Sequence, residues 1–328
     1  VAKPSVEAKT LSAQKTDEAL ARLHYIIETK GLSPSALSVY LNCPLKYFLR
    51  YIAQIEDNSV EEDVGVNDIG TIIHKTLELL FGDYLPRDGK VQVIDKPLFD
   101  SKIKPVWRDK LMQAIAEEMP NGFPDVGFNY LNRVTIEQQL ESYLNYTSKQ
   151  LENSILSILK TESELKARVG DYLFKGNADR IDQWNGVVRV IDYKTGRVES
   201  ANLKLPVHHA DDDALDYLRQ IPDKALQLLL YKFMYLSENQ ELSPKQVTGA
   251  IHGLRYASTI AFGLSQATPS KNDANADTDF LESDNFMADM ESLLQAVVAE
   301  MLDTETPFVK ADDDKKCRYC EFKLICGR

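Results

Sequence analysis

Three residues near the middle of the chain could do hydrolytic chemistry if the backbone brought them together. Asp179 stands in Gly176-Asn177-Ala178-Asp179-Arg180-Ile181-Asp182, and Asp192 and Lys194 stand in Ile191-Asp192-Tyr193-Lys194-Thr195-Gly196. Between them lies Asn185-Gly186, a pair suited to a two-residue hairpin turn because both residues tolerate positive φ. That turn predicts strands over 177–184 and 187–193 and sets Asp179 opposite Asp192. The two-residue period of a strand then turns Lys194 to the same face as Asp192. Two carboxylates so close repel unless a proton or a divalent cation lies between them. A Mg2+ or Mn2+ ion there would polarise a phosphodiester and acidify a bound water, with Lys194 orienting that water or offsetting charge on phosphorus. Arg180 and Asp182 fall at odd offsets from Asp179 and read as structural or surface residues on the other face. Taken alone, the D-x-K triplet also fits an ordinary charged surface hairpin.

The second chemically suggestive set is the four cysteines: Cys43, then Cys317, Cys320 and Cys326 in a C-x2-C-x5-C run. So few in so long a chain do not make a disulfide framework. Four thiolates can hold a metal, and zinc is the generic occupant. Joining Cys43 to the C-terminal three closes a loop of almost the whole chain, which removes unfolded-state entropy worth on the order of several kcal/mol.

The elements that must position these groups follow from periodicity. Leu20, Leu23, Ile26 and Ile27 recur at helical spacing until Gly31, and Ser33-Pro34 reads as an N-cap and first turn of a helix through Leu37, Tyr40 and Leu41. The run 70–81 is strongly helical. Helices are predicted near 104–118 and over 135–159, within a stretch, 82–160, read as an insertion. Strands are predicted at 165–174, 177–184 and 187–193 as a meander, then a helix over 213–236, a strand over 246–256 and a last helix over 279–302. Glu164 opens the first of those strands and is a weaker ligand candidate.

As a set these landmarks resemble the RecB and AddB branch of the PD-(D/E)XK nucleases, which includes small CRISPR-associated exonucleases. The resemblance rests on G-N-A-D-R-I-D, the N-G turn, V-I-D-Y-K-T-G, Gly70-Thr71-Ile72-Ile73-His74, Gln227 with Tyr231, and Tyr40-Leu41-Asn42-Cys43-Pro44-Leu45-Lys46-Tyr47-Phe48. It implies an α/β fold with the restriction-endonuclease-like PD-(D/E)XK core: a small mixed sheet flanked by helices, a helical insertion over about 82–160 and a cysteine-rich C-terminal clasp. It implies that His74 joins Asp179 and Asp192 as a metal ligand, that the Tyr193 carbonyl also faces the metal, and that Gln227 and Tyr231, one helical turn apart, support the site or position substrate. It implies a 4Fe-4S cluster on Cys43, Cys317, Cys320 and Cys326, where spacing alone leaves zinc open. The activity implied is a Mg2+- or Mn2+-dependent deoxyribonuclease, a single-strand-directed exonuclease of DNA-repair end processing. A helicase partner is implied too, either a separate polypeptide or an N-terminal part of a longer chain. A non-cleaving DNA-binding or helicase-docking module of the same fold is the alternative.

Composition constrains these readings. At 328 residues and 44% hydrophobic the chain can bury one sizeable core with insertions. Residues 1–30 read as an extension, 31–328 as the nuclease domain, and the start at Val1 suggests a piece of a longer polypeptide. No apolar run reaches the roughly 18 to 20 residues of a membrane span, so no membrane partner and a cytoplasmic location are expected. The net charge of -12 argues against a general nucleic-acid-coating protein. Part of the acid excess lies in the runs Glu61-Glu62-Asp63, Asp211-Asp212-Asp213 and Asp312-Asp313-Asp314, read as solvated surface. Lys46, Arg50, Lys75, Arg180, Lys194 and Arg197 are candidates for a local basic groove. No Walker A run occurs in the sequence, so no ATP-driven motor is expected within it.

Overall fold

The computed structural model describes residues 11–55, 66–120, 128–209, 212–255, 260–268, 276–277 and 280–327. The opening residues 1–10, the Glu61-Glu62-Asp63 run and Asp211 lie outside the described residues. In chain order the principal elements are α1 (Pro34–Asn42), α2 (Val66–Gly82), α3 (Trp107–Glu118), α4 (Phe128–Gln150), β1 (Leu156–Val169), β2 (Tyr172–Trp184), β3 (Val187–Lys194), α5 (Asp223–Glu238), β4 (Val247–Gly253), β5 (Ala261–Gly263) and α6 (Phe286–Leu302).

The five strands form one mixed sheet in the order β1-β2-β3-β4-β5. The first three make an antiparallel meander. Its second turn is the Asn185-Gly186 pair, with φ of 49° and 92°, the left-handed conformations that a tight hairpin turn demands. β3 then pairs in parallel with β4, a pairing that needs a crossover helix, and α5 supplies it. Gly249 of β4 permits the close approach of that helix: a Cβ there would lie 2.8 Å from Leu228 Cβ.

Both faces of the sheet are covered. On one face α1, α5 and α6 pack Leu37, Leu229, Phe233 and Leu294 against Ile181 and Val190. On the other, α2, α3 and α4 pack Ile73, Leu77, Trp107, Leu111, Leu140 and Tyr143 against Ile191, Tyr193 and Ala250. The 82–160 stretch therefore builds one wall of the protein's core.

Several boundaries differ from the sequence reading. β1 begins at Leu156 rather than 165, because the polar run Lys160-Thr161-Glu162-Ser163-Glu164 masks a strand whose alternate residues face solvent. The apolar residues 155–159, expected to end a helix, open that strand, and α4 stops at Gln150. The expected 213–236 helix is two helices, Ala214–Gln220 and α5, broken at Ile221-Pro222 by proline's missing donor. α6 starts at Phe286, later than expected.

Candidate active site

The hairpin register holds as far as Arg180↔Ile191, and one step further Asp179 and Asp192 stand opposite each other. At that step a side chain replaces the ladder: the Tyr193 N–H donates to Asp179 Oδ2 at 2.5 Å. α2 brings His74 to the same place, with Nδ1 3.2 Å from Asp179 Oδ1 and Nε2 3.1 Å from the Tyr193 carbonyl oxygen. Both ring nitrogens thus face acceptors, an arrangement that the doubly protonated imidazolium satisfies. Burial works against that charged form, but the hydrogen bond and charge of Asp179, with Asp192 and Glu162 behind it, outweigh it and raise the His74 pKa.

Sequence reasoning missed Glu162. Its carboxylate, the His74 imidazole and the Asp179 carboxylate offer ligand atoms that all lie within 4.8 Å of one another. The β1–β2 ladder pairs Thr161 with Arg180 and Ser163 with Ala178, which sets Glu162 across from Asp179, and its φ of 44° marks a local departure from strand geometry. Asn177 Nδ2 donates to Glu162 Oε2 at 2.7 Å. Burial, then the nearby Asp179 charge, raises the Glu162 pKa. A signal existed: Gly170-Asp171 forms a two-residue turn between Val169 and Tyr172, and counting back from it reaches Glu162. Glu164 shares the strand parity but is exposed and pairs with Lys166 at 2.6 Å.

Asp192 stands beside this group and is held from its other side. Lys194 Nζ lies 2.7 Å from Oδ2, and Gln227 Nε2 donates to Oδ1 at 2.7 Å. Gln227 also donates to the Tyr231 hydroxyl at 2.9 Å, and that hydroxyl donates to the Asn177 carbonyl at 2.7 Å. Gln227 and Tyr231 thus tie α5 to β2 and β3. Burial raises the Asp192 pKa; Lys194 opposes this and Asp179 adds to it.

Other polar candidates lie apart. Arg180 and Asp182 form a fully buried pair at 2.9 Å, so their role is structural and not at the surface. His24 pairs with Glu28 and His209 with Asp212 on the exterior. His252 is buried behind the sheet and shares a hydrogen bond with the Tyr143 hydroxyl. The expected basic groove does not form from its six residues, since Arg180 is buried, Lys46 and Arg50 pair with Glu321, and Lys75 pairs with Glu78 and Glu117.

The four cysteines form no disulfide, are half-buried, and line one small pocket. Leu45, Leu49 and Phe322 pack against Cys43, Cys320 and Cys326, and the Ala311 N–H donates to Cys43 Sγ at 3.3 Å. Burial and the neighbouring sulfurs raise the thiol pKa values of Cys317 and Cys326. Lys46, Lys310, Lys316 and Lys323 line the same pocket.

The sequence pattern of the PD-(D/E)XK nuclease superfamily matches residues 31–327. Among curated proteins, an ATP-dependent helicase/deoxyribonuclease subunit of Carboxydothermus hydrogenoformans is 26% identical over 259 residues, 74% of this chain and 22% of that protein. Its namesake from Clostridioides difficile is 25% identical over 191 residues, 53% of this chain and 16% of that protein. The chain therefore spans about a fifth of the length of these relatives. A crystal structure of a protein provisionally called an exonuclease, from Eubacterium rectale, aligns over 93% of this chain and 92% of its own with 12% identity and a TM-score of 0.39, a general likeness only. A five-stranded mixed sheet, an Asp and an Asp-x-Lys on adjacent strands, and a match over nearly the whole chain lead to one conclusion: the chain belongs to the PD-(D/E)XK nuclease superfamily.

Proposed function

We propose that this chain is a divalent-metal-dependent DNA nuclease that hydrolyses phosphodiester bonds at the His74, Glu162, Asp179 and Asp192 cluster. The observation that carries this reading is the crowding of His74, Glu162 and Asp179, with the Asp192–Lys194 pair beside them. Burial and the Asp179 charge raise the proton affinities of Glu162 and Asp192, and that same negative charge would draw a cation.

The donor set, oxygen with one imidazole nitrogen, suits Mg2+ or Mn2+. When bound, such an ion supplies Lewis-acid activation of the scissile phosphate and of a water. His74, Glu162 and Asp179 would hold it, with Asp192 and the Tyr193 carbonyl beside them. Lys194, a third exposed and paired with Asp192, is the group able to reach outward to the attacking water or the phosphate oxygens. Gln227 fixes the Asp192 carboxylate so that its orientation survives loss of the lysine contact.

At the cysteine pocket we infer a 4Fe-4S cluster, with zinc as the other occupant compatible with four thiolates. The four lysines around the pocket offset the charge that four thiolates would carry. Tying Cys43 to the C-terminal three gives the metal centre a clasp role. Broad visible absorbance and matching iron and sulfide content in anaerobically purified protein support the cluster; stoichiometric zinc and no iron would replace it.

Single-stranded DNA cut from an end is the substrate this reading assigns, with a helicase supplied by another polypeptide or by another part of a longer chain. The names of the curated relatives, which couple a helicase to a deoxyribonuclease, support the DNA substrate and the helicase, while the single strand and the end follow from the family resemblance alone. The test compares linear single-stranded, linear duplex and circular single-stranded DNA in Mn2+. Preferential loss of the linear single strand supports the assignment, whereas equal cleavage of the circle would make the enzyme an endonuclease.

A further inference from the structure

Behind the candidate site, on the opposite face of the sheet, lies a buried polar group with no part in the chemistry above. Arg180 is 1% exposed and Asp182 fully buried. Arg180 pairs with Asp182 at 2.9 Å, and Arg189 grips the same carboxylate with two hydrogen bonds of 2.8 and 2.9 Å. Asp182 is shared with the partly exposed Arg189, so the buried Arg180 charge has only part of a counterion, a cost that an apolar core of the same volume would avoid. Such a feature calls for a role that packing alone does not supply.

Its position points to that role. Arg180 is adjacent in sequence to Asp179 and across the ladder from Ile191, so its long side chain reaches the diagonal neighbour Tyr193. The guanidinium carbon lies 5.6 Å from the Tyr193 ring centroid and 4.6 Å from that of Phe81. Phe81 belongs to α2, the helix that carries His74. Arg180 also donates to the Tyr143 hydroxyl of α4 at 2.9 Å. Tyr193 is thereby boxed in by Arg180, Tyr143, His252 and the edge of the His74 ring. On the other side of the same residue, the peptide N–H is taken by Asp179 and the carbonyl faces His74.

We propose that Arg180 is a positioning residue that fixes α2, β2 and β3 relative to one another, so that His74, Asp179 and the Asp192–Lys194 segment converge on one cation. This rests on the metal-site reading above and adds a residue that touches none of the proposed ligand atoms through its own side chain. Cation–π contacts to Phe81 and Tyr193 hold the guanidinium at the junction, and Asp182 sets its plane.

The test uses the intact chain and Arg180→Met, a substitution that keeps length and apolar volume. Asp182 keeps its paired hydrogen bonds from Arg189 in that variant, so a cooperative melt is expected to survive. Mn2+ binding is measured by calorimetry or by electron paramagnetic resonance, beside kcat and KM on a single-stranded oligonucleotide. Mn2+ affinity is expected to fall by about 10- to 100-fold, with kcat falling and KM changing little, and Arg180→Lys is expected to recover part of both. Wild-type Mn2+ affinity in folded Arg180→Met would overturn the proposal. If Arg180→Met does not fold, Arg180→Lys decides, because it keeps the charge without the planar contacts: weaker Mn2+ binding supports the role and unchanged binding refutes it. Failure of wild-type protein to bind Mn2+ at all would instead remove the metal site, and this proposal with it.

Discussion

His74 Nδ1 lies 3.2 Å from Asp179 Oδ1, joining a helix near the start of the chain to a strand that follows more than a hundred residues of intervening sequence. The Asp179 carboxylate raises the proton affinity of this imidazole against the effect of burial. Metal and proton therefore compete for the same atoms, and the pH dependence follows from that competition.

The sign is set by raised pKa values. A histidine whose folded pKa lies above its unfolded value stabilises the fold fully below the unfolded pKa of about 6.5, and loses that contribution as pH rises through the folded pKa. In metal-free protein, His74→Gln is expected to reduce stability more at pH 6 than at pH 9, read from urea unfolding midpoints. An equal loss at both values would remove the His74 imidazolium from the account.

Metal binding should release protons, and release more of them as pH falls towards 6. Glu162 and Asp192 are also raised, by burial and by the Asp179 charge, with Lys194 opposing the rise at Asp192, so each holds its proton to higher pH than a free carboxyl does. Calorimetric titration with Mn2+ in buffers of different ionisation enthalpy reads this directly. Affinity should weaken as pH drops, and a pH-independent affinity would contradict the assignment.

Glu162→Gln separates the residue found in the structure from the one considered in the sequence. Its replacement is expected to weaken Mn2+ binding and lower kcat by about 10-fold or more. Glu164→Gln, at an exposed position paired with Lys166, should leave both near wild type, since surface pairs are worth little.

Two glycines test packing against chemistry. A Cβ at Gly176 would come 2.6 Å from Tyr231 Cε1, so Gly176→Ala must displace the ring whose hydroxyl joins Gln227 to the Asn177 carbonyl. Activity should fall more than stability. Gly249→Ala meets Leu228 Cβ at 2.8 Å and its carbonyl oxygen at 3.1 Å; backbone cannot swing aside, so a stability loss of about 1–3 kcal/mol is expected by overpacking. Thermal melts and initial rates on both variants tell the two effects apart.

Much of the site was legible because its grammar is local. The Asn185-Gly186 turn fixes the register, the register faces Asp179 with Asp192, and strand parity brings Lys194 to the same side. Gln227 and Tyr231 are one turn apart on one helix. Glu162 was hidden by a polar strand segment that hydrophobic period cannot detect, and Arg180 was assigned to the correct face but its burial came from α2 and α4, whose packing no local pattern encodes. The same long-range packing puts Leu140 and Tyr143, within the stretch read as a helical insertion, in the wall behind β3.

If one imidazole and a cluster of carboxylates bind a cation that drives phosphodiester hydrolysis, cutting must depend on that cation and on its ligands. The direct measurement is degradation of end-labelled single-stranded DNA in Mn2+, Mg2+ and chelator, by wild type, Asp179→Ala and Lys194→Met. Wild type should cut only with metal, and Asp179→Ala should lose both Mn2+ binding and cutting. Lys194→Met should keep Mn2+ binding while losing about 100-fold or more in kcat. Cleavage that persists in chelator, or in folded Asp179→Ala at the wild-type rate, would contradict the account.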